Sequence, residues 1–185
     1  MLAAAGLFHK QGLRATSMEE ISQAAEVTRP ELYRHFRTKA DIAEEVVRAY
    51  LAEIKHGTSQ LHSKLDSWNG LRRTFAAHIE LLNRFQARRG CPLGSIGNQL
   101  KEKDEAIRQA LNLVFEALEE RIVKFLKKEK SEGRLLRTAD EERLAAFCVA
   151  LMQGAMLIGK VGRDSQRAAR IFEDLSMHLE HYRIE

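Results

Sequence analysis

Apolar residues recur at intervals of three and four along most of this 185-residue chain, which is the spacing of one face of an α-helix. Only two prolines and eleven glycines interrupt the pattern, and the alternation of apolar and polar residues that is typical of strands is absent from the sequence. The hydrophobic share of 44% is enough to build a sizeable core. The sequence therefore predicts an all-α protein.

Residues 28–39, which read TRPELYRHFRTK, combine a helix start with a cationic face. Thr28 is predicted to cap this helix, and Pro30 lies in its first turn, where a missing N–H costs nothing. Leu32 and Phe36 lie one turn apart and predict the inward side. The outward arc holds Arg29, Tyr33, Arg34, His35 and Arg37. Such an arc suits a phosphate backbone, although an ordinary solvated helix face shows the same pattern.

Two shorter helices are predicted before this segment. The first covers residues 2–10, and the second follows Ser17, which has Glu20 in the capping-box position. The inward side of the first helix is predicted from Leu2, Ala5 and Phe8. A short helix, a turn and a second helix with a polar outer face are the arrangement of a helix-turn-helix. Thr38 then caps a fourth helix, which is predicted to link two domains.

The remainder of the chain predicts further helices after a polar loop at residues 56–67. They are expected at residues 68–88, 92–100, 104–132, 138–161 and 165–182, with Thr138 as the cap of the fourth of these. No residue in 144–159 is charged, so this part needs apolar cover on both sides, and a partner subunit is the natural cover. The run contains Gln153 and Gly154 and is shorter than the ~20 apolar residues of a membrane span. A homodimer without membrane contact is predicted.

The expected organisation is a three-helix helix-turn-helix domain at residues 1–45, and a linking helix that joins it to a helical effector-binding and dimerisation domain at residues 46–185. The net charge of +4 is modest, yet residues 28–39 hold four bases and one acid. A nucleic-acid reader needs cations only where it touches phosphates. The charge pattern is compatible with DNA binding without requiring it.

Catalysis, metal binding and export are not expected. Cys91 and Cys148 lie far apart without the spacing of metal ligands or of a disulfide framework, which fits a reducing cytoplasm. No phosphate-binding glycine loop and no hydrolase motif occurs in the sequence, so we expect neither an enzyme nor a cofactor. The apolar start MLAAAGLF has no basic segment before it and does not predict a signal peptide.

In order and spacing, the segments AAAGLFHKQG, TSMEEISQAAEV and TRPELYRHFRTK resemble the DNA-binding domain of the TetR family of one-component bacterial transcriptional regulators. The resemblance implies a ligand-responsive homodimeric repressor that binds a palindromic double-stranded DNA operator through residues 28–37. It implies backbone contacts from Ser17, Thr28, Tyr33, His35 and Lys39. It places Arg29 and Pro30 near base edges, with Arg34 and Glu31 as weaker candidates.

The sequence departs from the family pattern at two places. Glu26 occupies the position of a turn glycine, so the turn requires either a positive φ at a residue that tolerates it poorly or a different geometry. The first helix lacks the basic turn that usually precedes it in the family, which implies either a truncated start or fewer phosphate contacts.

An effector is implied, but its identity, the operator sequence and the choice between repression and activation stay open. Candidate residues for a ligand cavity or a sensor are Cys91, Phe75, Phe85, Phe115, Met152 and Met156. Cys91 stands at a helix entry where backbone N–H groups favour a thiolate, although free cysteine is more often a small buried side chain. Aromatic and methionine stripes are likewise more often plain core. The alternative function is a helical adaptor or small-molecule-binding protein with a vestigial helix-turn-helix.

Overall fold

A computed structural model describes residues 1–58 and 66–184. Within these ranges the chain forms nine α-helices, and the one β-type contact is an isolated bridge between Leu135 and Arg183. The helices are α1 (Leu2–Gln11), α2 (Met18–Ala24), α3 (Arg29–His35), α4 (Lys39–His56), α5 (Trp68–Arg84), α6 (Pro92–Gly97), α7 (Glu105–Ser131), α8 (Glu141–Gly162) and α9 (Ser165–Glu180). The predicted all-α class is confirmed. Most of the predicted loop at 56–67 lies outside the described residues.

Packing divides the chain into two compact units. Unit 1 consists of Met1–Glu53 and Cys91–Val114, and unit 2 consists of Ile54–Gly90 and Phe115–Glu185. Unit 1 therefore includes α6 and the first part of α7, because α6 packs against α1. The division at residue 45 between a DNA-binding domain and an effector-binding and dimerisation domain remains a prediction.

The core of unit 1 is built by the inward sides of its short helices. Its buried apolar side chains include Ala4, Phe8, Leu13, Ile21, Leu32, Ile42, Val46, Val47, Leu93 and Ile96. The prediction that Leu2 points inward was wrong, since this side chain is 89% exposed. Successive residues of a helix are rotated by about 100°, so Leu2 lies on the side opposite Ala4 and Phe8.

The predicted recognition helix was too long at its C-terminal end. α3 ends at His35, and Phe36 is already extended with φ −133° and ψ 119°. Arg37 therefore lies beyond the helix. The helix after Trp68 was also predicted too long, because Gln86 and Ala87 adopt φ values of 50° and 52°, which a right-handed helix does not allow.

The N-terminal cap of α8 differs from the prediction. Asp140, rather than Thr138, caps this helix, and its Oδ1 accepts the backbone N–H of Arg143 at 3.0 Å. At its other end the chain turns through Arg163, a non-glycine residue with φ 51°. α9 ends at Glu180, two residues before the predicted end.

Unit 2 packs α8 against α5 and α9. Phe75 of α5 stacks on Phe172 of α9 with ring centroids 5.1 Å apart, and Trp68 donates its Nε1–H to Glu129 at 2.7 Å. With a mean hydropathy of 1.8 in its most apolar window, α8 is long and apolar enough to cross a membrane. Its inner side is nevertheless the core of unit 2, where Met152, Ala155 and Met156 are almost completely buried.

Candidate nucleic-acid interface

The helix-turn-helix of unit 1 begins with a complete capping box. Ser17 Oγ accepts the N–H of Glu20 at 3.1 Å, and Glu20 Oε2 accepts the N–H of Ser17 at 2.8 Å. Gln11 donates its Nε2–H to the same carboxylate at 2.9 Å. These hydrogen bonds lower the pKa of Glu20, and the one from Gln11 has the largest effect. The start of α2 is therefore held by local contacts, and Ser17 stays exposed.

The turn between α2 and α3 is made by Glu26 in the left-handed region. Its φ is 56°, and the N–H of the next residue, Val27, reaches the carbonyl of Ser22 at 3.1 Å. The sequence left open whether a non-glycine residue adopts a positive φ here or the turn has a different geometry. The structure shows that Glu26 adopts the positive φ. A non-glycine residue in this region costs roughly 1–2 kcal/mol.

α3 presents the predicted arc to solvent. Thr28 Oγ1 accepts the N–H of Glu31 at 3.4 Å, and Leu32 is buried as the inward anchor. The exposed residues of the cap and helix are Thr28, Arg29, Pro30, Glu31, Tyr33, Arg34 and His35. Phe36 is half-buried at the C-cap. Seven of the eight predicted DNA-binding residues, Lys39 being the exception, are thus exposed.

Arg29 is already paired within unit 1. Its Nε lies 3.0 Å from Glu19 Oε2, and both side chains are well exposed. This ion pair joins α2 to the start of α3. An exposed pair of this kind is worth only ~0.2–1 kcal/mol, so Arg29 can exchange the carboxylate for another acceptor at small cost.

Lys39 lies half-buried at the start of α4. Its Nζ donates to the carbonyl oxygens of Arg14, at 3.1 Å, and of Thr16. Partial burial lowers the pKa of Lys39, and the nearby Arg14 adds to this. Two of the three N–H groups are thus used inside unit 1. The DNA contact predicted for Lys39 stays a prediction, and loss of this side chain would also loosen the turn before α2.

A network that the sequence did not reveal holds this turn to the segment after α6. The backbone N–H and Nε of Arg14 donate to Gln99 Oε1 and Gln99 O, both at 2.9 Å, and its guanidinium forms an ion pair with the buried carboxylate of Asp104. The side-chain amide of Gln99 also lies against Gly12, whose φ is 91°. The partners are 85 to 90 residues apart in sequence, so no local pattern could have indicated them.

Comparison with known proteins identifies the family. Residues 1–46 match the family model described as "Bacterial regulatory proteins, tetR family", and residues 68–175 match the one described as "Tetracyclin repressor-like, C-terminal domain". The chain belongs to the tetR family. Two family models thus cover the helix-turn-helix and most of the C-terminal helices, which confirms the predicted family and the predicted DNA-binding transcriptional regulator.

Individual members of the tetR family resemble the chain over most of its length. It is 25% identical to the HTH-type transcriptional repressor DhaR of Mycobacterium sp. over 162 residues, which are 86% of this chain and 80% of that protein. It is 30% identical to the transcriptional regulator AcuR of Cereibacter sphaeroides over 165 residues, or 86% and 75% of the two chains. The crystal structure of regulatory protein TetR from Rhodobacter sphaeroides has the same fold, with a TM-score of 0.81, 23% identity and coverage of 96% and 95%.

The residues predicted to line a tetR-family effector cavity have varied surroundings. Phe75, Met152 and Met156 are buried, whereas Phe85 and Phe115 are half-buried. All five belong to unit 2, whereas Cys91 belongs to unit 1. Two surface cavities of unit 2, of about 470 and 530 Å³, are lined by other residues. The ligand role of these six residues stays a prediction.

The two cysteines differ in their local contacts. Cys91 is 8% exposed and caps α6, where its Sγ accepts the N–H of Gly94 at 3.5 Å. Cys148 lies inside α8, and burial raises the pKa of its thiol to about 12. Cys148 is therefore protonated and inert at neutral pH. The burial of Cys91 agrees with a small core side chain, and its sensor role remains a prediction.

Proposed function

We propose that this tetR-family chain is a homodimeric repressor whose protomers each place α3 in the major groove of a palindromic operator. The observation that carries the proposal is the exposed arc of α3, with Arg29, Arg34 and His35 outward and Leu32 as the buried anchor. A recognition helix needs side chains that reach base edges on one side and an apolar attachment on the other. α3 has both.

We assign phosphate contacts to the exposed caps and to the flanking polar side chains. Ser17 and Thr28 each stand at a helix start, where a hydroxyl and adjacent N–H groups suit an anionic oxygen. At Ser17 a phosphate would replace the Glu20 carboxylate, which accepts both the N–H and the hydroxyl in the free protein. The side chains of Tyr33, His35 and Lys39 complete this set. Contacts of this kind position a protein on the duplex without reading its sequence.

Base reading is assigned to the tip of α3. Arg29 can hold a guanine by two hydrogen bonds, and the ring of Pro30 can lie on a thymine methyl group. Arg34 is exposed one turn further along the helix and is the next candidate. The exposure of all three residues supports this assignment.

Replacing Arg29 by alanine should relax the preference for one operator base pair and weaken specific binding by ~1–3 kcal/mol. The operator is first selected from random double-stranded oligonucleotides and then titrated by fluorescence anisotropy. Arg73→Ala is the matched control, because it removes an exposed arginine from α5 of unit 2. If no palindrome is selected, or if the Arg29 and Arg73 variants bind it equally well, the assignment fails.

Replacing Glu19 by glutamine should raise operator affinity about two- to fivefold at low salt, because exposed ion pairs contribute ~0.2–1 kcal/mol and their carboxylates repel phosphates. Glu19 is the partner of Arg29 in the free protein, so the change both releases the arginine and removes a negative charge. The gain should shrink as salt concentration rises. An affinity unchanged at every salt concentration would show that Glu19 does not compete with DNA.

The proposed dimer rests on the outer side of α8. Phe147, Ala150, Gly154 and Leu157 recur at intervals of three and four and face outward, with Leu157 46% exposed. This is the seam spacing of a helix that packs on another helix. At Gly154 a Cβ would meet nothing within 4 Å among the described residues beyond the adjacent backbone of α8, although glycine inside a helix costs ~1 kcal/mol relative to alanine. Close approach of a partner helix explains that glycine.

Ala155 lies in the middle of the apolar run of α8, but a charged residue there would not test the dimer. Ala155 has no exposed surface and packs inside its own unit. A glutamate there would disrupt unit 2 itself, whatever the assembly. The outward seam of α8 is the correct place for such a test.

We further propose that the protein works in the cytoplasm, answers a small-molecule effector and catalyses no reaction. Repression is favoured over activation because the relative from Mycobacterium sp. is named a repressor. The family is one of regulators, which supports a binding function. The effector is bound by unit 2 in this proposal, since that unit holds most of the C-terminal family match.

A further inference from the structure

We propose that unit 2 carries a binding site for the anionic group of a small ligand, in the surface cleft formed by Arg88, Lys160, Val161 and Arg163. The cleft has a volume of about 470 Å³, and three of its four lining residues are cations. It lies between the segment after α5 and the C-terminal end of α8. The chemical class of the ligand is a phosphate or carboxylate compound with at least two negative charges.

The cations of the cleft are not neutralised by the part of the chain that the structure describes. Among residues 1–58 and 66–184, no ion pair involves Arg88, Lys160 or Arg163. The nearest acid in sequence, Asp164, caps α9 by accepting N–H groups at 2.9 and 3.1 Å. A cleft lined by charges of one sign attracts ions of the opposite sign, and its like-charged side chains repel one another when no such ion is bound.

Helix electrostatics account for only part of this cluster. Cations near the C-terminal end of a helix are favoured by its dipole, which explains Lys160 and Arg163. Arg88 comes from a different segment, beyond the end of α5. The neighbouring Arg89 behaves differently, since its guanidinium lies 4.1 Å from the centre of the Phe85 ring. The cleft thus joins cations from two separate segments of unit 2.

The backbone on both sides of the cleft is strained. Gln86 and Ala87 precede Arg88 with φ values of 50° and 52°, and Arg163 has φ 51°. These are three of the four non-glycine residues with positive φ in the described chain. Strain of this kind clusters at functional sites.

The cleft wall is also tightly packed. A Cβ at Gly90 would lie 3.2 Å from the carbonyl oxygen of Met156 and 3.4 Å from Cδ of Lys160. The segment that carries Arg88 therefore rests directly on α8, on the stem of a second cation of the cleft. Such packing holds the backbone of the Arg88 segment against the stem of Lys160.

The test is isothermal titration of the intact protein, without DNA, at constant ionic strength. The probes are pyrophosphate and succinate, which distinguish a phosphate source from a carboxylate source. We expect saturable binding of at least one probe with a Kd below about 1 mM. Because no operator is present, the result does not depend on the proposed DNA-binding function. Only a regulatory role of the site would rest on that function.

Arg88→Gln and Arg163→Gln should each weaken probe binding at least about tenfold, which is the usual loss for a hydrogen bond to a charged group. Arg137→Gln, an exposed arginine of unit 2 outside the cleft, should bind like the wild type and controls for the change in net charge. The proposal is overturned if neither probe binds saturably, or if the three variants weaken binding equally. Binding of only one probe supports the site and identifies its chemistry.

Discussion

Replacing Phe147 by glutamate should leave the protein folded but monomeric, and operator affinity should fall at least about 100-fold, because a buried unpaired charge costs ~3 kcal/mol or more. Phe147 belongs to the outward seam of α8, where it is 41% exposed and lies 5.1 Å from the ring of His178. Unit 2 does not need this side chain for its core. In the proposed dimer, however, the seam is covered, and a carboxylate there would lose its water.

The measurement combines light scattering, circular dichroism and operator titration. Leu113→Glu is the control, since Leu113 is 43% exposed on α7 in unit 1 and lies outside the seam. That variant should remain dimeric. A Phe147→Glu protein that stays dimeric at micromolar concentration, or a wild type that is monomeric there, would refute the seam on α8.

A second seam variant separates steric from electrostatic effects. Gly154→Leu adds apolar surface and a better helix former, so the isolated helix should become more stable. The dimer should nevertheless weaken, because the larger side chain keeps the two helices apart. A Gly154→Leu dimer at least as stable as the wild type would mean that no helix approaches closely at this position.

Replacing Gly12 by alanine should lower the free energy of unfolding by ~1–3 kcal/mol, through backbone strain at a position open only to glycine. Gly12 has φ 91° and ψ 160°, and a Cβ there would lie 2.5 Å from Nε2 of Gln99. The substitution would weaken the contact between the turn after α1 and the segment after α6. Urea unfolding followed by circular dichroism measures it.

Gly6 provides a matched control within α1, the helix that ends just before Gly12. It lies inside α1, and a Cβ there would meet nothing within 4 Å, so Gly6→Ala should stabilise the protein by ~0.5–1 kcal/mol. Gln99→Ala is not a clean rescue of Gly12→Ala, because it also removes the acceptor of the Arg14 backbone N–H and leaves the strained φ in place. Two glycine substitutions with effects of the same sign would contradict this account.

Short-range chemistry explains what could be predicted from the sequence. The capping boxes of Ser17 with Glu20 and of Thr38 with Asp41 both form, because each joins groups three residues apart. The predicted cap of α8 was wrong because Thr138 and Asp140 are both good capping residues, and only the path of the backbone decides between them. Helix existence was therefore more predictable than helix ends.

The sequence by itself determined the all-α class, the helix-turn-helix, the exposed arc of α3 and the apolar character of α8, since spacing and caps are local properties. Only the tertiary structure decided that Arg29 pairs with Glu19, that Lys39 turns to backbone carbonyls and that Arg14 reaches Asp104. It also brought Arg88 to the end of α8. These contacts join residues that are 10 to 90 positions apart, and such pairings depend on how helices pack rather than on any local pattern.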